Sequence, residues 1–124
     1  MVKWVTETTD KFERKYKEYE KKHKFELQAV LVNLNKYFEA LQEIGNPKVI
    51  KAGYIHPEPM GIIAIDQKGG KKKVKLKETR LYLYCGVENN IVYLITLGDK
   101  KSQSKDIEYS KSFVKKIRKD LGNG

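Results

Sequence analysis

Two apolar segments in the second half of the chain, residues 80–87 (RLYLYCGV) and 91–97 (IVYLITL), constrain the fold more than any other feature. Only Glu88-Asn89-Asn90 separates them, so they are expected as neighbouring antiparallel strands of one sheet. Basic clusters flank the pair at residues 71–77 and at Lys100-Lys101. Apolar strand residues build a rigid sheet while the flanking Lys and Arg gather beside it. Focused positive charge on a sheet points to a polyanion, with RNA the first candidate.

The charge distribution sharpens this expectation. The net charge of +10 is uneven: residues 1–67 hold 11 Lys/Arg against 10 Asp/Glu, and residues 68–124 hold 15 against 6. With 40% apolar and 34% charged residues in 124, the chain reads as a single domain, 1–124, with a core of its own. No apolar run approaches the roughly 18–20 residues that span a bilayer. The first residues lack the pattern of a signal peptide, so a cytoplasmic location and no membrane partner are expected. The single cysteine, Cys85, shares a strand face with Leu81, Leu83 and Val87 and reads as a buried strand residue. Together with His23 and His56, which lie far apart, it does not make a zinc site, and neither a metal nor another cofactor is expected.

Upstream, Val2, Trp4 and the residues around them alternate as a short strand over 2–6. Asp10 reads as an N-cap with Glu13 three residues on. Phe12, Tyr16, Tyr19 and His23 then follow at helical spacing, with His23 structural. Leu27, Val30, Leu31, Leu34, Phe38, Leu41 and Ile44 form a second helical stripe, stopped by Gly45-Asn46-Pro47. The two helices are expected as a hairpin bent at His23-Lys24; the alternative is one long helix over 10–44.

Residues 47–60 carry three prolines and read as a loop in which His56, beside Glu58, is idle. Residues 61–66 (GIIAID) read as a strand and 67–70 as a turn. Residues 73–77 (KVKLK) alternate as a second strand, with Val74 and Leu76 inward. The phase slips at Glu78-Thr79, where either a bulge or a tight turn is required. After Gly98 a polar loop leads to a closing helix with Ile107, Ser110, Val114, Ile117 and Leu121 on one face and Ser104 as its N-cap. The expected fold class is α+β: an N-terminal strand, a two-helix hairpin, an antiparallel sheet of three or four strands and a C-terminal helix.

Familiar catalytic motifs are missing. Lys68-Gly69-Gly70-Lys71 lacks phosphate-loop spacing, and there is no nucleophile elbow, no HExxH and no carboxylate pair in an evident cleft. Any chemistry must then rest on Lys, Arg and Tyr. Such a set suffices to cleave RNA, because the ribose 2′-hydroxyl supplies the nucleophile.

The segment Thr79-Arg80-Leu81-Tyr82-Leu83-Tyr84, the apolar strand 91–97 with Gly98, then Lys100-Lys101-Ser102-Gln103 and Asp106-Ile107-Glu108 resembles the RelE/ParE toxin superfamily, and most closely its HigB-like, phage-derived branch. The resemblance covers roughly 45 residues by motif and the whole chain by layout. It implies the toxin of a type II toxin–antitoxin system, a metal-independent endoribonuclease that cuts mRNA on the ribosome. The implied partners are mRNA, the ribosome and a cognate antitoxin of helix-turn-helix type.

By motif position the resemblance implies that Arg80 holds the scissile phosphate, with Lys100 or Lys101 as a second basic group and Tyr109 as a stacking or acid–base residue. Lys73 and Lys75 match a basic strand of the family if the turn lies at Glu78-Thr79. If it lies at 67–70 the equivalent strand is 61–66, where Ala64 and Asp66 replace the usual Glu and Arg. Lys71, Lys72, Lys77, Tyr82, Tyr84 and Gln103 complete the expected RNA contacts. Two alternatives stand beside this reading: a non-catalytic module binding RNA or protein on the same fold, and a gyrase inhibitor of ParE type.

Overall fold

The computed structural model describes residues 3–69 and 75–122. Strand β1 (Val5–Thr8) leads into helix α1 (Asp10–Lys22) and helix α2 (Lys24–Ile44). Strands β2 (Ile55–Pro57), β3 (Ile62–Asp66), β4 (Thr79–Gly86) and β5 (Ile91–Asp99) follow, and helix α3 (Gln103–Asp120) closes the fold. The strands form one sheet in the order β1-β5-β4-β3-β2. This is the expected α+β layout, with a fifth strand and one parallel pair: β1 runs parallel to β5, and the other three pairs are antiparallel.

The alternation of each strand divides the core in two. Leu81, Leu83 and Cys85 of β4 and Val92, Leu94 and Leu97 of β5 face the α1–α2 layer, where Phe12, Tyr19, Leu27, Val30, Tyr37 and Leu41 meet them. Ile62, Ala64, Tyr82, Tyr93 and Ile95 face the other way and pack with Val114 beneath α3. A register shift between Tyr82 and Leu83 in the β4–β5 ladder lets Ile95 join this second core. Roughly half a dozen large side chains on each face leave the sheet sandwiched between helices, as in other two-faced α+β sheets.

Several local expectations change. Helix α1 is capped by Thr9, not Asp10: Thr9 Oγ1 accepts from Phe12 N at 2.9 Å and donates to Ile95 O at 2.6 Å. One hydroxyl thus caps the helix and ties it to the central strand. Helix α3 starts two residues earlier than expected, with Ser102 rather than Ser104 at its N-cap. His23 alone separates α1 from α2, and its amide still donates to Tyr19 O, so the chain bends without a loop. Gly45 ends α2 at φ 81, the left-handed conformation that a side chain disfavours. Ile44 is exposed rather than part of the buried stripe.

Residues 47–60 are not a plain loop, since β2 lies within them and pairs with β3. The segment 73–77 is not a strand where it is described: residues 75–78 have no strand conformation, and β4 pairs directly with β3. The connection between these two strands therefore runs from Gln67 to Glu78. The turn thus does not lie at Glu78-Thr79, and β3 is the strand beside β4, with Ala64 on its α3 side. Lys71, Lys72 and Lys73 lie outside the described residues.

Candidate functional site

The α3-side face of β2, β3 and β4 gathers a cluster of charged side chains at its open margin. Asp66 and Arg80 are directly opposite in the β3–β4 ladder, and His56 is opposite Ala64 one row away. Directly opposed residues of an antiparallel pair project to the same face, so His56, Asp66 and Arg80 share it. Ala64, one methyl group between them, leaves room for the imidazole to lean along the sheet. His56 Nε2 meets Asp66 Oδ2 at 2.5 Å. Asp66 is fully buried, and its other oxygen accepts from Lys68 N at 2.8 Å. The His56 ring, 29% exposed, is thus held from beneath by a carboxylate, and its Nδ1 is the nitrogen left for other work.

Arg80 is only 17% exposed and lies between two carboxylates, Glu78 at 3.2 Å and Glu58 at 3.8 Å. Glu58 follows β2 in extended conformation, two residues beyond His56. The guanidinium Nε of Arg80 is buried and has no hydrogen-bond partner among the described residues, and the same holds for the Tyr82 hydroxyl and Thr96 Oγ1, a cross-strand pair. Burial pushes the Tyr82 phenol well above its ordinary value, and the negative charge of Asp106 adds to the shift.

The same end of the sheet carries the basic groups. Arg80 is opposite Gly98 on β5, and Asp99, Lys100 and Lys101 follow immediately. Lys77 reaches back to Asp99 at 2.9 Å, and this contact is the main reason the Asp99 carboxyl is held below its usual value. A cleft of about 300 Å³ opens between α1 and the start of α3, with Lys15, His23, Lys101 and Lys105 in its walls beside Asp99 and Glu18. Asp106, in the first turn of α3, is buried; desolvation raises its carboxyl, against a hydrogen bond from Ser102 Oγ at 2.7 Å and the charges of Lys11 and Lys15.

The residues expected from sequence separate into groups. Arg80, Lys77, Lys100, Lys101 and Gln103 lie at this one end, with Lys75, exposed, in the connection that enters β4. Tyr82, expected as an RNA contact, is fully buried in the α3-side core. Tyr84 is half-buried under Arg118, whose guanidinium carbon is 5.7 Å from the ring centroid. Tyr109 packs within the α3-side core with Lys11 Nζ 4.1 Å from its ring centroid.

The cluster also holds groups that the sequence reading set aside: His56, Glu58, Asp66 and Glu78. His56 read as idle because Pro57 and Pro59 hid a three-residue strand. The available signal was the charge at the end of the GIIAID strand, since a carboxylate closing a buried strand must find a partner across the ladder. Among the described residues no group of three or more His, Cys, Asp or Glu side chains is placed to hold a metal ion, and no helix is long and apolar enough to cross a membrane.

Comparison of the chain with protein-family models, with curated proteins and with solved structures returns no match.

Proposed function

We propose that this chain is a metal-independent endoribonuclease, the toxin of a toxin–antitoxin pair in the manner of the RelE/ParE superfamily and its HigB-like branch. The observation that carries the reading is the juxtaposition of Arg80, Glu58 and the Asp66-held His56 on one margin of a basic sheet. Cleavage of RNA without a metal needs three services: a base for the 2′-hydroxyl, an acid for the departing 5′-oxygen, and fixed positive charge at the phosphorus. Glu58 suits the first, the imidazole of His56 the second, and Arg80 the third. The 2′-oxygen bonds to phosphorus as the bond from phosphorus to the 5′-oxygen breaks. The products are a 2′,3′-cyclic phosphate and a free 5′-hydroxyl, with the proton passing from the ribose to Glu58 and from His56 to the leaving oxygen.

In the absence of substrate Arg80 neutralises Glu58. An incoming phosphate competes for the guanidinium and releases the carboxylate to act as base, so the ion pair is compatible with catalysis. Lys77, Lys100 and Lys101 supply charge along the approach, and this part of binding should weaken with salt. An acidic antitoxin segment is the partner such a surface favours.

A second reading, an RNA-binding module without catalysis, is favoured by Glu58 and Glu78, which already pair with the Arg80 charge without any ligand. Induced expression of the wild type, Arg80→Ala and His56→Gln, with growth scored and mRNA 5′ ends mapped, separates the two. The expected result is growth arrest with new 5′-hydroxyl ends, both lost in the two variants. Arrest without cuts would move the target to gyrase or elsewhere. Neither arrest nor cuts from soluble, folded protein that still binds RNA would leave the binding module.

A further inference from the structure

Where β3 begins and β4 ends, a half-open cavity of about 610 Å³ opens on the other side of Glu58, the residue it shares with the proposed RNA site. Its walls come from residues 47–52, the end of β2, the start of β3 and the end of β4. Ile50, Ile55, Ile62, Ile63 and Val87 make those walls largely apolar, and Val87 is 61% exposed at the rim. A volume within roughly 300–1,000 Å³ and an apolar lining with a few placed polar groups are the usual properties of a small-molecule site.

The placed polar group is Arg118. Its guanidinium donates to Met60 O at 3.0 Å and lies over the Tyr84 ring, so it is held at the mouth by two contacts. Met60 presents that carbonyl from a left-handed conformation, φ 64, followed by Gly61 at φ 79. Left-handed backbone at a non-glycine residue is costly, and such strain concentrates at ligand clamps. Lys48 and Lys51 add positive charge on the far wall, while the carboxylate in the wall, Glu58, is engaged by Arg80.

We infer that this cavity is a binding site for a small amphipathic anion, with an apolar chain or ring on the isoleucine floor and a carboxylate or phosphate head against Arg118. The guanidinium suits either head, because its planar fork donates two parallel hydrogen bonds to both. The inference does not rest on the RNA reading; Glu58 borders both sites, so the test uses Arg118 and Ala52, which that reading does not involve.

The test is calorimetric titration of the full chain with octanoate, octyl phosphate, octanol and octylamine, paired with amide chemical-shift mapping. The expected result is saturable one-to-one binding of at least one anion, shifts confined to residues 47–63, 84–87 and 118, and no comparable binding of the amine. Arg118→Gln should weaken the anion by about tenfold or more, as for loss of a charge-assisted hydrogen bond. Ala52→Trp, at an exposed position in the wall, should block the cavity without touching the core. Equal binding of anion, alcohol and amine would overturn the inference. So would anion binding that neither variant changes, or the failure of both anions to bind.

Discussion

His56 Nε2 and Asp66 Oδ2 are 2.5 Å apart across the β2–β3 hairpin, ten residues apart in the chain, and the carboxylate has no exposed surface. A buried carboxylate left without its partner is costly, so His56→Ala should destabilise the fold by about 1–3 kcal/mol. The check is a urea titration, in which the midpoint falls at unchanged slope. Asp66→Asn keeps the shape but lets the amide donate to Nε2, which would move the ring proton to Nδ1. Nitrogen chemical shifts of His56 should report that tautomer change, and RNA cleavage should fall by about a hundredfold or more, the contribution of a general acid, because the proton-donating form of the ring loses its counter-charge. Wild-type cleavage by Asp66→Asn with a shifted tautomer would remove His56 from the proposed chemistry.

Asn33 ties helix α2 to the end of β3. Its amide donates to Asp66 O and to Lys68 O, each at 2.8 Å. These bonds fix the turn from which Lys68 N donates to the Asp66 side chain. Replacing Asn33 by leucine leaves two carbonyls without that donor, and the expected loss is about 2–4 kcal/mol. Hydrogen exchange at the Lys68 amide should speed up in the variant more than exchange in the middle of β4. Uniform acceleration at both places would mean that the effect is global and that Asn33 has no local hold on the Asp66 turn.

The two elements with strong periodicity, α2 and the β4–β5 pair, were legible because burial alone places them. Leu27, Val30, Leu34 and Leu41 are buried at the spacing a helix requires, and Gly45 ends it where the sequence indicated. Strand pairing was less legible. KVKLK alternates cleanly and GIIAID is a nearly continuous apolar run, yet β4 pairs with GIIAID. What distinguishes them is that Ile62, Ala64, Ile65 and Asp66 are buried, so β3 is covered on both faces, which an alternating lysine strand would not tolerate. The parallel pairing of β1 with β5 left no local trace, because it joins segments 86 residues apart. Arg80 was legible only as a candidate, through its place in a motif. His56, Glu58 and Asp66 meet only through tertiary register, which no spacing within a single element reports.

Gly98 lies close against the start of helix α3. A Cβ there would collide with Asp106 Oδ2 and Ser102 Oγ, the pair joined at the first turn of the helix. Gly98→Ala should therefore push the start of α3 off β5 and cost about 1–3 kcal/mol, the usual range for overpacking. Gly53 provides the control, since nothing lies within 4 Å of a Cβ at that position. Gly53→Ala should stay within about 0.5 kcal/mol of wild type, as surface substitutions do. Equal stability of the two variants in urea would show that the helix start yields freely. The Arg80 site would feel the same displacement, because Arg80 and Gly98 are paired across β4 and β5.

Asp99 and Asp106 should titrate in opposite directions from the ordinary value of 3.8. The hydrogen bond from Lys77 lowers Asp99, so its ionised form favours the fold. That contribution is present above the unfolded-state value and fades as pH falls through the lower folded value. Burial raises Asp106, so its ionisation opposes folding. Here stability falls as pH rises from the unfolded value through the higher folded one, and the cost persists above it. Carboxyl carbon shifts followed against pH should give an Asp99 midpoint below 3.8 and an Asp106 midpoint above it. Lys77→Ala should bring Asp99 upward while Asp106 remains on its own side, because the main cause of the Asp106 shift is desolvation. An Asp99 midpoint unmoved in Lys77→Ala would mean that the Ser102 and Lys101 backbone amides hold it down instead, and that Lys77 is free to meet a phosphate.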